Sequence, residues 1–111
     1  MSIATKPNAA NGPLAGENCT TMIEVREGVD ALDRELVSLL VRRQAYMSAA
    51  ARIKGSREAV YDAERIEDVV NKVLIEAKRL GLSAEIAEPV WRELISQCIA
   101  FEFKKFDEIR T

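Results

Sequence analysis

The fold is decided by the stretch from Met22 to Gly55, MIEVREGVDALDRELVSLLVRRQAYMSAAARIKG. Apolar positions recur in it with alternating steps of four and three residues, which is the spacing of one face of an α-helix. Thr21 and Glu24 have the spacing of a capping box at its start. The pattern predicts one long helix, which the pair Gly55-Ser56 ends. Its stripe consists of Val25, Val29, Leu32, Leu36, Leu39, Arg43, Tyr46, Ala50 and Ile53.

This predicted helix is long for a chain of 111 residues. Residues 22–55 would extend about 50 Å, whereas a compact globule of this length has a radius of gyration of only ~13 Å. Two shorter helices cannot cover such a stripe within one chain. We therefore expect the same helix of a second chain to cover it, and we predict a homodimer. The alternative is a helix broken near Gly55 or earlier and folded into a monomeric bundle.

Two further helices follow from local start and stop signals. Asp62 is a good N-cap for the second helix, and Gly81 with the apolar residue after it is typical of a helix end. Ser83 can cap a third helix that runs to about Phe106, in which Pro89 marks either a kink or the true first turn. No segment alternates as a strand does. The predicted class is all-α, with three helices and a very long first one.

Composition narrows the function classes. The chain contains no histidine, which removes the commonest general base and the histidine-dependent nucleophile arrangements. Two cysteines without a CxxC pair argue against a zinc site or a redox motif, and their number excludes a disulfide framework, so we predict no metal. A net charge of -2 gives no reason to expect nucleic acid or a membrane surface as a partner. We expect residues 1–21 to be a disordered leader and the protein to be cytoplasmic.

Arg43 and Lys54 are candidate anion-binding residues. Arg43 lies on the apolar stripe, where an unpaired charge is costly and implies a partner or an anionic ligand. Lys54 follows eleven residues later and returns to within about 20° of the same face. Arg26 lies roughly 100° away on the helix, so it would have to reach that site from another copy. For Arg42, Arg52 and Arg57 a solvated basic face is the preferred interpretation.

Glu102 is a carboxylate on an otherwise apolar row of the third helix. Trp91, Ile95 and Cys98 precede it in that row at helical spacing. Either Glu102 belongs to a site or it forms an internal salt bridge. Cys98 is interpreted as a small core residue rather than a nucleophile, since no histidine can activate it.

Several of these segments together resemble the all-helical chorismate mutases. They are REGVDALD from Arg26 to Asp33, LLVRR ending at Arg43, Lys54, and DAER from Asp62 to Arg65. The resemblance extends from residue 22 to about residue 106, so residues 22–111 are interpreted as a chorismate mutase-like helical domain. It implies an intertwined dimer of three-helix chains with two equivalent sites, each completed by an arginine of the partner's first helix.

The resemblance also implies a role for each matching residue. Arg26 would be the partner arginine, Arg43 would hold a substrate carboxylate, and Lys54 would donate to the ether oxygen of chorismate. Asp62 and Arg65 would lie at the ring hydroxyl and the second carboxylate. Cys98 stands where serine is common, and Glu102 where many members have glutamine as the second donor to the ether oxygen. Arg43, Lys54 and Glu102 are thus the expected catalytic residues.

The implied reaction is the pericyclic rearrangement of chorismate to prephenate, which needs no nucleophile, metal or cofactor. One departure points to a relative of the same fold. Ile66 stands where many mutases have a glutamate for the substrate hydroxyl, and an apolar residue there resembles the isochorismate-pyruvate lyases. Two alternatives therefore stay open beside the mutase: such a lyase, or a non-catalytic helical dimer that binds an anionic ligand.

Overall fold

The computed structural model describes residues 12–111. Over that range the chain forms three α-helices and two short 3₁₀ turns, with no β-strand. Helix α1 is Met22–Ile53, α2 is Ala63–Leu80 and α3 is Ala84–Ile109; the 3₁₀ turns are Gly16–Asn18 and Arg57–Val60. The predicted all-α class with one very long first helix is confirmed. None of these helices has the length and apolar composition needed to cross a bilayer.

The chain divides into two compact units, Met1–Arg43 and Gln44–Thr111. The boundary falls inside α1, so the first unit holds the N-terminal two-thirds of that helix and the second unit holds its last residues. The prediction of a disordered leader concerns residues 1–21. Residues 1–11 lie outside the described part of the chain, and residues 12–21 contain the 3₁₀ turn Gly16–Asn18.

In the first unit, α1 begins with the predicted capping box. The Thr21 hydroxyl accepts from the Glu24 amide at 3.2 Å, and the Glu24 carboxylate accepts from the Thr21 amide at 3.0 Å. It also accepts from the Thr20 amide at 2.8 Å. These hydrogen bonds, with the Thr20 amide the largest cause, lower the pKa of the Glu24 carboxyl. The side chains of Thr21 and Glu24 therefore fix the position at which the long helix starts.

The segment before that capping box lies along α1 at Gly28. A side chain at that position would first meet the Leu14 carbonyl, 3.7 Å from the place of a Cβ atom. A cavity of about 440 Å³ separates this segment from the helix. Its α1 wall is formed by Val25, Gly28, Val29, Ala31, Leu32 and Glu35.

The apolar stripe of the first unit faces solvent in a single chain. Val29, Leu32 and Leu36 are 49%, 59% and 54% exposed. A large contiguous patch of exposed apolar side chains generally marks an interaction surface. Further exposed apolar residues on the same part of the helix are Met22, Ile23, Val25, Val37, Leu39, Leu40 and Val41.

In the second unit, α2 and α3 form a tightly connected helical hairpin. The Asp62 carboxylate caps α2 by accepting from the Arg65 amide at 3.1 Å. Gly81 adopts a left-handed conformation with φ 88°, and its amide donates to the Ala77 carbonyl at 2.8 Å. The Ser83 hydroxyl then caps α3 by accepting from the Glu85 amide at 3.2 Å. All three predicted signals are confirmed.

The core of the second unit is built mainly from aliphatic side chains, together with Phe106 of α3. Val70 and Ala77 of α2 and Ala87 and Ile95 of α3 are buried along the hairpin. At the other end of α3, Ala51, Val60 and Phe106 form a buried cluster against which Ile99 and Phe103 pack. This cluster joins the end of α1 and the 3₁₀ turn Arg57–Val60 to α3, and it lies beside the candidate site.

Candidate active site

The candidate site in the second unit is centred on an ion pair between Lys54 and Glu102. The Lys54 Nζ lies 2.8 Å from Glu102 Oε2 and 3.5 Å from the Val60 carbonyl oxygen. Lys54 is the first residue after α1, and Glu102 lies on α3 four residues before the buried Phe106. The structure thus brings together two of the predicted site residues from different helices. The salt bridge that the sequence left as one alternative for Glu102 is present.

Burial makes this pair unusual. Glu102 is only 4% exposed and is the buried charged residue of the described chain, whereas the Lys54 side chain keeps 30% of its surface exposed. Within residues 12–111 no group directs a hydrogen bond of normal geometry at Glu102 Oε2, so the Lys54 ammonium is its close polar neighbour. A buried carboxylate with one cation fixes the position of that cation strongly, because separating them leaves an uncompensated charge. Glu102 thus holds the Lys54 ammonium group in place, while the Lys54 side chain stays partly exposed to solvent.

Asp62 and Arg65 lie at the start of α2 and are engaged locally. One carboxylate oxygen of Asp62 serves as the N-cap of the helix. The Arg65 guanidinium donates to Asp68 at 2.5 Å and its side chain is 60% exposed. The Asp68 carboxylate also accepts from Lys72 at 2.9 Å, and this neighbour, followed by Arg65, lowers its pKa. Arg65 is therefore a surface guanidinium that an anion could draw away from Asp68.

The remaining predicted site residues are distributed over both units. Cys98 is half-buried on α3, one turn before Glu102. Arg43 is half-buried in the first unit, and Arg26 is exposed there. Among the predicted site residues, the structure shows contacts between Lys54 and Glu102 and between Asp62 and Arg65.

Two arginines near Lys54 make contacts that the sequence did not predict. Arg57 was interpreted as a solvated side chain and is exposed. Its guanidinium also binds the Asp107 carboxylate through two nitrogens, at 2.9 and 3.3 Å, and lies over the Phe103 ring. Arg110 donates to the carbonyl oxygens of Ala51 and Lys54. No periodic signal marks these contacts, because Asp107 is 50 positions from Arg57, and Lys54 and Ala51 are 56 and 59 positions from Arg110.

A small cavity lies between the start of α2 and the middle of α3. Its volume is about 190 Å³, and its walls are mostly apolar. Arg92, which borders it, is held by Glu67 at 2.9 and 3.0 Å and by Glu88 at 3.1 Å, and these carboxylates raise its pKa. The other lining residues are Tyr61, Ile66, Ile95, Ser96 and Ile99. Ile66, the departure noted in the sequence, thus faces this cavity.

Comparisons with known proteins agree with the fold. Residues 25–103 match the family model described as chorismate mutase type II. The chain therefore belongs to the chorismate mutase type II family.

Two relatives of the chain carry different names. Over 94 residues the chain is 32% identical to the isochorismate pyruvate lyase of Pseudomonas aeruginosa, which covers 85% of this chain and 93% of that protein. Over 80 residues it is 30% identical to the T-protein of Haemophilus influenzae, which covers 71% of this chain and 21% of that protein. The chain thus spans nearly the whole length of the first relative and about a fifth of the second.

Proposed function

We propose that this protein is a chorismate mutase, which converts chorismate to prephenate by a unimolecular pericyclic rearrangement. The observation that carries the proposal is the Lys54 ammonium held at 2.8 Å by the buried carboxylate of Glu102. Membership of the chorismate mutase type II family supports it. The reaction breaks one C–O bond and forms one C–C bond within a single molecule, so the residues need only to bind, orient and stabilise charge.

Charge development explains why a fixed ammonium group suits this reaction. As the C–O bond of chorismate breaks, negative charge grows on the ether oxygen. A donor fixed at that oxygen stabilises the transition state more than the ground state. Lys54 supplies such a donor. Glu102 can add a second only in its protonated form, because an ionised carboxylate has no hydrogen to donate.

The substrate carries two carboxylates, which require cationic groups of their own. We assign one carboxylate to Arg43, a half-buried guanidinium on the apolar stripe of α1. We assign the other carboxylate to Arg65, whose guanidinium leaves Asp68 and binds the substrate instead. We assign the ring hydroxyl of the substrate to Asp62, which contacts Arg65 through the helix cap. Cys98, one turn before Glu102, lines the same site. Paired guanidinium–carboxylate contacts hold the flexible enolpyruvyl arm over the ring, and this restriction lowers the barrier further.

A second copy of the chain completes the site in this proposal. The exposed stripe of the first unit packs against the same stripe of the partner, and Arg26 reaches the partner's site. Its position on a different face of the helix from Arg43 is the reason for assigning it across the interface. The working enzyme is therefore a homodimer with two shared sites.

The second candidate is cleavage of isochorismate to salicylate and pyruvate. The similarity to an isochorismate pyruvate lyase over 93% of that protein favours it, as does Ile66 at the small cavity. The same two carboxylates and the same ether oxygen would be bound. The difference is that one ring hydrogen moves to the departing enolpyruvyl group, so the products are two molecules.

One experiment separates the candidates. Purified protein is incubated with chorismate and, in a second reaction, with isochorismate, and the products are identified by chromatography and mass spectrometry. Prephenate from chorismate, formed at a rate that Lys54→Ala reduces by about two or more orders of magnitude, is the expected result. Salicylate with an equal amount of pyruvate from isochorismate, without prephenate, would replace the mutase by the lyase. No product from either substrate would overturn both.

A further inference from the structure

Arg110, the residue that follows α3, binds the end of α1. Its guanidinium donates to the Lys54 carbonyl oxygen at 2.8 Å and to the Ala51 carbonyl oxygen at 3.0 Å. The last carbonyls of a helix have no partner within the helix, so they accept hydrogen bonds from outside it. The carbonyl that Arg110 binds most closely belongs to Lys54 itself.

The same guanidinium is fixed from a second side by an aromatic ring. Its central carbon lies 3.5 Å from the centre of the Phe106 ring, and Phe106 is 6% exposed in the buried cluster with Ala51 and Val60. A guanidinium can stack its flat face on a ring while its edge donates two hydrogen bonds. A lysine ammonium can make one of these contacts but cannot reproduce the planar arrangement.

A second interaction attaches the chain to α3 on the C-terminal side of Lys54. Arg57, three residues later, binds the Asp107 carboxylate of α3 through two nitrogens, at 2.9 and 3.3 Å. This carboxylate raises the pKa of Arg57. The backbone around Lys54 is therefore attached to the C-terminal turns of α3 both before and after the lysine.

The side chain of Lys54 meets the same helix. Glu102 lies eight residues before Arg110, which corresponds to about two helical turns. We infer that Arg110 is a positioning residue for Lys54: it fixes the backbone of the lysine on α3 while Glu102 fixes the ammonium group. The catalytic consequence rests on the proposed function, but the geometric consequence does not.

The reactivity of Lys54 tests the geometric consequence. Each lysine is acetylated with limiting reagent, and its rate is measured by peptide mass spectrometry in the full chain, with the exposed Lys72 as internal reference. We expect Arg110→Ala to raise the Lys54 rate relative to Lys72 by about threefold or more, because local opening frees the amine from Glu102. Arg79→Ala is the matched control, since Arg79 is exposed and pairs with Glu76 within α2. An unchanged Lys54 rate in Arg110→Ala with native helix content would overturn the inference.

Two further measurements separate positioning from simple loss of folding. Low-millimolar guanidinium is expected to restore slow acetylation of Lys54 in Arg110→Ala, because the free ion can bind over Phe106 and donate to both carbonyls. Arg110→Lys keeps the charge and is expected to give an intermediate rate even if the alanine variant unfolds. A lysine variant identical to the wild type, or no response to guanidinium in a folded alanine variant, would contradict the inference.

Catalysis supplies the remaining readout. For whichever substrate the wild type converts, Arg110→Ala is expected to lower kcat by roughly 10- to 100-fold with little change in KM, because the displaced donor is needed mainly in the transition state. A higher KM at unchanged kcat would oppose a positioning role. If the wild type converts neither substrate, the proposed function fails, and the acetylation result still decides the role of Arg110.

Discussion

At the scale of the residue, the mechanism depends on where a proton lies at Glu102. In the ion pair the Glu102 carboxylate lies 2.8 Å from the Lys54 Nζ, and this contact between charges orients the ammonium group. To donate to the ether oxygen as glutamine would, Glu102 must carry a proton. The two roles require opposite protonation states, so they predict opposite effects of replacing Glu102 with glutamine.

The ion pair with Lys54 favours the carboxylate role. Glu102→Gln removes the charge that fixes the Lys54 ammonium group, so we expect it to lower kcat/KM by about 10-fold or more at constant pH. Initial rates with chorismate measure the effect.

Glu93→Gln is the control, because it makes the same substitution on an exposed face of α3. The Glu93 carboxylate accepts a hydrogen bond from Gln97 there. The control variant should keep the wild-type kcat/KM. A Glu102→Gln variant that keeps or gains activity would show instead that a neutral hydrogen-bond donor serves at this position.

At the scale of the element, the turn between α2 and α3 depends on one glycine. Gly81 has φ 88°, and a Cβ atom there would meet nothing within 4 Å, so any cost of adding one comes from the backbone alone. Gly81→Ala should therefore lower the free energy of unfolding by about 1–2 kcal/mol. Gly55→Ala is the matched control, since Gly55 also has open space around it and does not have a positive φ.

Urea denaturation followed by circular dichroism measures both variants. The alanine at position 55 should leave the midpoint nearly unchanged. Equal midpoints for the two variants would mean that the left-handed turn contributes nothing to stability.

The helix boundaries could be predicted because their signals are local. Asp62 and Gly81 act on atoms within four residues of themselves, and the sequence shows both partners at once. Pro89 could not be decided, because a kink and a first turn have the same local sequence. The structure includes Pro89 in α3 as the sixth residue of the helix, after the N-cap Ser83.

The candidate site was predictable in part. Lys54 and Glu102 stood out because each places a charge where helical periodicity calls for an apolar residue. Their pairing was one of several possibilities, since periodicity gives the face of a helix and not its neighbour. The contact of Arg110 with the end of α1 gave no signal, because the Lys54 and Ala51 carbonyls are 56 and 59 residues away and contribute no side-chain pattern.

At the scale of the whole molecule, the exposed stripe of α1 predicts self-association. Sedimentation at micromolar concentration should give about twice the chain mass of 12.4 kDa. Leu36→Lys places a charge in the middle of the stripe and should shift the protein toward monomer. Ile75→Lys, at an apolar residue of α2 that is 70% exposed, should not. An active wild-type monomer would contradict the dimer.

Shared sites predict recovery of activity when two inactive variants are mixed. Arg26→Ala and Arg43→Ala should each be nearly inactive as homodimers. In a heterodimer refolded from both, one site carries both changes and the other carries neither, so up to about half of the wild-type activity per dimer should return. Differently tagged chains verify that the subunits have mixed. Verified mixing without recovery would remove Arg26 from the partner's site.

The division of the chain into two units also has an optical consequence. Trp91, Tyr46, Tyr61 and the three phenylalanines all lie after residue 43, so the first unit contains no aromatic side chain. Intrinsic fluorescence and near-ultraviolet circular dichroism therefore report on the second unit directly, while far-ultraviolet circular dichroism records the helices of both. A melting curve that moves in the far ultraviolet before the tryptophan emission changes would mark the first unit coming apart while the second remains folded.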